Sequence, residues 1–323
     1  MSPPRRDWGV RGRANVFAAA NPVDVDVDRG AAARADWLLL ATAIEEAGGS
    51  VVVVDNDGDH DGDGDGGDAT LTGLPYTAEA GVCGVDPDDG AGVFILPRLT
   101  PPHRRGEAAV VAPVVARLGL RAVTLDESVR FEGQGDVLRI GGDDAARFVA
   151  TAGVGRWART DERAYAAVER LLPGPSLALS FHADPWFHGN TFLGSWSRAG
   201  DVVVVVCDEA LRGDGAAALR RFVDGARVLA ITPDETLSYA TNALQVQDTV
   251  LAPAPHAGRG VPDRVVDAWR ALGLQVRFLA LPTLFGRGGG AAVCLTNRLD
   301  GVVADDVPDD LRLGAWRRRQ EQR

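Results

Sequence analysis

The residues best suited to chemistry in this sequence stand in glycine-broken stretches. Toward its end, Gly288-Gly289-Gly290-Ala291-Ala292-Val293-Cys294-Leu295-Thr296 delivers a lone cysteine from a glycine run onto what reads as a short apolar strand. Glycines let backbone and substrate approach closely, so this thiol is placed as a nucleophile could be. Alone, it equally fits a small buried hydrophobe. Two further segments supply partners. Phe131-Glu132-Gly133-Gln134-Gly135-Asp136 sets two carboxylates four residues apart in a glycine-broken turn. Phe187-His188-Gly189-Asn190-Thr191-Phe192 puts a histidine and an amide at alternate positions, which share one face if the segment is a strand. Cysteine, histidine and carboxylate are the parts of a thiol-based hydrolase. Plainer roles exist for each: Glu132 and Asp136 as caps of a tight turn, His188 as a satisfied core histidine near Trp186 and Trp196, and Arg159 as the solvated start of a helix. Cys83 and Cys207 read as apolar strand residues.

The elements that must position these groups alternate along the chain. An Ala/Leu-rich pattern over 31–47 predicts a helix stopped by Gly48-Gly49, and 51–54 a buried strand. Strands are then expected over 93–96, 122–125, 137–140, 177–181, 202–207, 228–231, 244–251 and 275–280. Helices are expected over 106–118, 161–172 with Thr160 as N-cap, 216–223 and 262–272. About five strand-strand-helix-strand units of 50–60 residues fit this order, a period that suggests repeats about an axis. The reading is therefore one α/β domain over 1–323 with its site at the centre. Its one interruption is the Asp/Gly-rich run 55–68, expected to be a disordered surface insertion. That run formally matches a calcium loop through Asp57, Asp59, Asp61, Gly62 and Asp68. It lacks the flanking helix pair, and any Asp/Gly repeat satisfies the pattern.

Composition narrows the function classes. With 46% hydrophobic and 24% charged residues among 323, the chain can bury a large core. The net charge is −11, but seven acids of the 55–68 run account for most of it, leaving −4. There is no lysine, and the arginines are scattered until the last residues, so no nucleic-acid partner is expected. No apolar run is long enough to span a membrane, and the first residues lack a secretory apolar core, so a cytoplasmic protein is expected. Three cysteines with no C-x-x-C spacing point to reduced thiols and away from structural zinc.

In order, Asn21-Pro22, Tyr76-Thr77-Ala78-Glu79-Ala80-Gly81, Pro97-Arg98 through His103-Arg104-Arg105-Gly106-Glu107, Phe131 to Asp136, Arg159-Thr160-Asp161, His188-Gly189-Asn190-Thr191, Thr241-Asn242 and the Gly-Gly-Gly to Cys294 segment resemble the guanidino-group-modifying (pentein) superfamily. That superfamily comprises arginine deiminases, dimethylarginine dimethylaminohydrolases, arginine dihydrolases and amidinotransferases. The resemblance implies a five-bladed α/β propeller of ββαβ units with the substrate in its central channel. It implies Cys294 as nucleophile, His188 as general acid and base, and Glu132 as the carboxylate gripping a guanidinium. It further implies Asp136 as a supporting group and Arg159 as a carboxylate anchor, with Glu79, Asn190 and Arg98 in the substrate-binding set. Two departures stand out: Asn190 replaces the aspartate of a His-x-Asp pair, and Glu79 replaces Asp or Asn. A rival register takes His182 and Asp184 as that pair; His188 is preferred because the Thr-Phe-Leu after Asn190 and the spacing to the 202–206 strand fit better.

The chemistry implied is hydrolysis of the guanidino group of arginine or an arginine-like substrate through a covalent amidino-thioether, without metal or organic cofactor. Amidino transfer and a second hydrolysis to ornithine share the first half of that route and remain open. So does a non-catalytic guanidine-binding protein of the same fold, and so does a homodimer.

Overall fold

The structure, a computed structural model, describes residues 1–9, 27–55, 71–142 and 145–322. Valine-rich and apolar runs form the strands, and four three-stranded sheets built from them repeat one topology. In each, the first two strands are antiparallel, and a helix carries the chain to a third strand parallel to the second. The first sheet holds β1 (Val82–Val85), β2 (Gly92–Ile95) and β3 (Arg121–Val123), with α2 (Glu107–Arg117) as crossover. The second holds β4 (Val137–Ile140), β5 (Arg147–Val154) and β6 (Ser176–His182), with α3 (Ala164–Glu169). The third holds β7 (Leu193–Arg198), β8 (Asp201–Val206) and β9 (Arg227–Ala230), with α4 (Gly215–Phe222). The fourth holds β10 (Leu244–Val246), β11 (Thr249–Pro253) and β12 (Gln275–Leu279), with α6 (Asp263–Ala271); the single-turn α5 (Pro233–Thr236) precedes it.

The core follows from the side-chain period. Val203, Val204, Val205 and Val206 are all buried in β8, as a strand covered on both faces requires. Helix α6 turns Val265, Val266, Ala268 and Trp269 inward, and the Trp269 ring packs tilted against Trp196 with ring centroids 4.9 Å apart. Each such aliphatic side chain stabilises the fold by about 1.5–3 kcal/mol relative to exposure.

Where five units were expected, four sheets of this topology are found among the described residues. Helix α1 (Val27–Glu46) turns Ala33, Trp37, Leu40, Ala41 and Ile44 inward onto Leu281, Leu284, Phe285 and Leu295, and Trp37 meets Trp316 of α7 (Leu313–Glu321). The strand expected at 51–54 is reduced to single backbone pairs: Val52 bridges Arg312, the Val53 N–H donates to Leu311, and the Val54 N–H donates to Met1. Here the chain's two ends supply the neighbours, one residue at a time. The helix expected over 161–172 shrinks to α3, and Thr160 caps nothing because its hydroxyl donates to Asp136 instead. The expected 244–251 strand is a hairpin, turned at Gln247. Asn21-Pro22 and all of the Asp/Gly run except Asp55 lie outside the described residues. Among the described residues, no helix is long and apolar enough to cross a membrane.

Candidate active site

Each sheet is entered through a single 3-10 turn: Thr77–Ala80 before β1, Gly133–Gly135 before β4, Gly189–Thr191 before β7 and Ala240–Asn242 before β10. Successive turns begin 56, 56 and 51 residues apart, so the repeat brings one turn per unit to equivalent places. Glu79 lies in the first turn; Glu132 and Asp136 bracket the second; His188 opens the third, which contains Asn190; Asn242 closes the fourth. Cys294 follows β12 in a further turn, fixed by the Leu295 N–H donating to Ala291. The strand expected around it is therefore a turn.

These turns are laced to one another. The Ala78 N–H donates to the Cys294 carbonyl at 3.1 Å, and Asn297 Nδ2 reaches the carbonyls of Thr77 at 3.0 Å and Gly81 at 2.8 Å. Two glycines make the close approach feasible. Gly133 has φ +55, and a Cβ there would stand 2.6 Å from the Gly81 nitrogen; a Cβ on Gly290 would stand 2.5 Å from the Tyr76 ring.

The charged part of the site centres on His188, which is fully buried. Its Nε2 lies 2.8 Å from Glu132 Oε2, and its Nδ1 lies 3.4 Å from Glu79 Oε1. Glu132 is itself well supplied with donors. Thr100 N–H reaches Oε1 at 2.9 Å and Arg159 reaches Oε2 at 3.3 Å. Burial alone would raise the Glu132 carboxyl, but Arg159, His188 and Arg104 together hold it well below the usual carboxylate range. Arg104 contacts Glu79, donates twice to Glu107 at 2.7 Å, and donates to the Gly73 carbonyl at 3.0 Å. Burial raises the Glu107 carboxyl despite that pairing. Asp136 accepts from Gly189 N–H and the Thr151 hydroxyl at 2.9 Å each and from Thr160 Oγ1 at 2.6 Å. It anchors the turn that carries His188, and burial raises its own carboxyl.

The sulfur part is uncharged. Asn242 Nδ2 donates to Cys294 Sγ at 3.1 Å while its Oδ1 accepts the Cys294 N–H at 3.0 Å. Asn190 Oδ1 lies 3.8 Å from the same sulfur. Burial pushes the Cys294 thiol up to about 11, only partly opposed by the two asparagines and the more distant Arg104.

The structure thus gathers Cys294, His188, Glu132, Glu79, Asn190 and Arg159, and puts Asp136 directly behind them. Segment 187–192 is not a strand; because of its turn, His188 faces the carboxylates and Asn190 the sulfur. Arg98 stands apart: its guanidinium donates to the Leu125 carbonyl, and it serves the site through its backbone pairing with Phe131, next to Glu132. His182 and Asp184 are exposed at the end of β6 and beyond it, so the rival register is set aside. Sequence reading gave no role to Arg104, Glu107 or Asn242. The Arg104/Glu107 spacing of three at a helix start was the available signal for the first two. Cys83 and Cys207 are buried in or beside strands, with thiols pushed up to about 12 by burial. Glu79, Glu132 and His188 also place ligand atoms within 4.8 Å of one another, close enough to hold a cation, which would compete with Arg104 and Arg159 for the same carboxylates.

No family model matches the chain. It is 30% identical over 175 residues to N(G),N(G)-dimethylarginine dimethylaminohydrolase from Mycobacterium tuberculosis, across 53% of this chain and 46% of that protein. The chain thus matches about half the length of that curated relative. Among solved structures, the N-terminal domain of ArgZ, a cyanobacterial arginine dihydrolase, superposes with a TM-score of 0.73 at 19% identity over 92% of this chain and 96% of that one. AgrE in complex with ornithine and NAD+ gives 0.75 at 21% identity over 97% of this chain and 40% of that one. A dimethylarginine dimethylaminohydrolase adduct gives 0.59 at 17%, over 84% and 92%. The chain thus shares the fold of these solved structures along most of its length and matches a dimethylarginine dimethylaminohydrolase in sequence over about half of it.

Proposed function

We propose that the chain hydrolyses the guanidino group of arginine or a substituted arginine through a covalent intermediate on Cys294. One observation carries this reading: a single turn, Gly189–Thr191, joins the two parts of the site, with His188 on the carboxylates and Asn190 on the sulfur. A nucleophile and a proton carrier are thereby held within one rigid unit.

Four carboxyl groups (Glu79, Glu107, Glu132 and Asp136) face two guanidinium groups (Arg104 and Arg159) in this buried space. A further planar cation is what such a site lacks, and a substrate guanidinium supplies it. Its charge beside the sulfur favours the thiolate. Sγ then bonds to the central guanidine carbon, and His188 gives a proton to the departing nitrogen as its C–N bond breaks. In the second half His188 takes one proton from water as the water oxygen bonds to the same carbon; the second proton leaves with the released amine or to solvent, and the C–S bond breaks to release a ureido product and the thiolate. Glu132 fixes the tautomer and orientation of His188, and Glu79 and Arg159 hold the two ends of the substrate. The named activities of the partial relative and of the structural neighbours agree with this chemistry.

We further infer that residues 1–323 act as one catalytic unit and that α1, 51–54 and the 311–312 segment form an irregular fifth blade. The supply of site residues from all four sheet-leading turns and from the Cys294 turn supports that arrangement.

The test is a product assay with arginine, methylated arginines and agmatine, scored for citrulline, ornithine, ammonia and alkylamine. A ureido product with release of ammonia or an alkylamine is expected, and C294S abolishes it. Turnover of no guanidine overturns the proposal; ornithine would assign the second hydrolysis to the same site.

A further inference from the structure

The two amides at the sulfur are used unequally. Asn242 is fixed at both ends, since Oδ1 accepts the Cys294 N–H and Nδ2 donates both to Sγ and to the Asn190 carbonyl. Asn190 is not. Its Oδ1 lies 3.8 Å from Sγ, and its Nδ2, buried with the rest of a side chain that is 1% exposed, has no hydrogen-bond partner among the described residues. A buried donor left idle has lost its water without a replacement partner, so its retention calls for a state in which it is used.

A primary amide is nearly symmetric in shape, and turning it over exchanges oxygen and nitrogen at small steric cost. While Cys294 is protonated, the observed arrangement is self-consistent: the S–H donates to Asn190 Oδ1, and the sulfur accepts from Asn242 Nδ2. Once the proton has left for solvent, Oδ1 faces a negative sulfur, and the idle Nδ2 is the group that should face it.

We propose that Asn190 is a second thiolate-binding amide, its side chain turning over when Cys294 ionises so that Nδ2 joins Asn242 Nδ2 in donating to Sγ. This rests on the assignment of Cys294 as the nucleophile. The same rotation carries Oδ1 to the place Nδ2 has left, where an N–H of a bound guanidinium can satisfy it. Thiolate and cation therefore select one orientation of the amide. An aspartate of the same shape could accept from the cation, but it has no hydrogen for the sulfur and would set a charge against it.

The test follows iodoacetamide alkylation of Cys294, located by peptide mass, across pH in the wild type, N190A and N242A. Thiolate is the form alkylated, so the midpoint reports ionisation. If Asn190 turns over, N190A loses a donor to the thiolate and its midpoint rises by about one pH unit, in the same direction as N242A. If Asn190 keeps Oδ1 on the sulfur, it stabilises only the thiol, and N190A leaves the midpoint unchanged or lowers it; either result overturns the proposal. Should N190A not fold, the Asn190 side-chain amide protons of the wild type, followed by NMR through the thiol titration, decide instead. A shift that tracks the sulfur supports the rotation, and constancy overturns it. Neither measurement needs turnover, so loss of the hydrolase reading would appear in the product assay alone.

Discussion

The two parts of the site solve opposite problems with different residue types. Around His188, the partners of both ring nitrogens are charged, and each is tied to a further charge: Glu132 to Arg159, Glu79 to Arg104, and Arg104 in turn to Glu107. Around Cys294 the immediate partners are amides, Asn242 and Asn190. A fixed cation against the sulfur would keep it a thiolate in the empty site, open to oxidation and to any electrophile. Amides hold it in place and leave its ionisation to whatever enters. On the proposed reading, the charged part attracts a cation and the neutral part responds to it.

The sharpest way to break this division is to remove the proposed nucleophile. Cys294→Ser should lower kcat by about 10^4-fold or more while substrate still binds, because the charged part is untouched. Equilibrium binding of arginine to C294S, measured by calorimetry, checks the second half of that statement. His188→Asn keeps the bulk of a polar side chain but carries no titrating group. A loss of about 10^2- to 10^4-fold in kcat is expected, with equilibrium binding of arginine little changed. A similar loss from both substitutions in binding rather than kcat would mean that the two parts are not functionally distinct.

Glu107→Ala tests the charged part from behind. It strips Arg104 of two 2.7 Å hydrogen bonds and leaves a buried cation with less compensation, so a loss of about 3–5 kcal/mol in stability is expected from urea unfolding. The corresponding change in the neutral part, Asn242→Ala, should cost about 1–3 kcal/mol, because only uncharged hydrogen bonds are broken. Equal costs would contradict the contrast drawn above.

How much of this was legible in the sequence follows the same line. Cys294 and His188 stood out because the chain has only three cysteines and five histidines, and glycines frame both. Glu132 was legible for its place beside Gly133. Arg104 was harder to single out, because Arg105 next to it is identical in type and exposed; the Gly73 carbonyl and Glu79, both distant in sequence, together with Glu107 decide which of the pair turns inward. The strand expected at 187–192 failed for a related reason. Gly189 is held by Asp136 from 53 residues away, a constraint that no local period records. The four sheets could be read from apolar runs of ordinary length. The pairing of 51–54 could not, since single backbone bonds to Met1 and Leu311 leave no pattern in side-chain type.

The smallest predicted effect probes how the charged part acts on the neutral one. Two reagents of nearly equal size, chloroacetamide and chloroacetamidine, differ chiefly in that the second is a cation. The Cys294 thiol, pushed up to about 11 by burial, is protonated near neutrality, so chloroacetamide should react slowly there and faster as the pH climbs. The amidine brings its own positive charge to the carboxylates and lowers the cost of ionising the sulfur beside it. Its advantage over the amide, after correction with a small free thiol, should be about tenfold or more near pH 7. That advantage should shrink as the pH approaches 11, where the thiolate forms without help. A ratio independent of pH would mean that the cation aids binding only and that the sulfur is ionised by the protein itself.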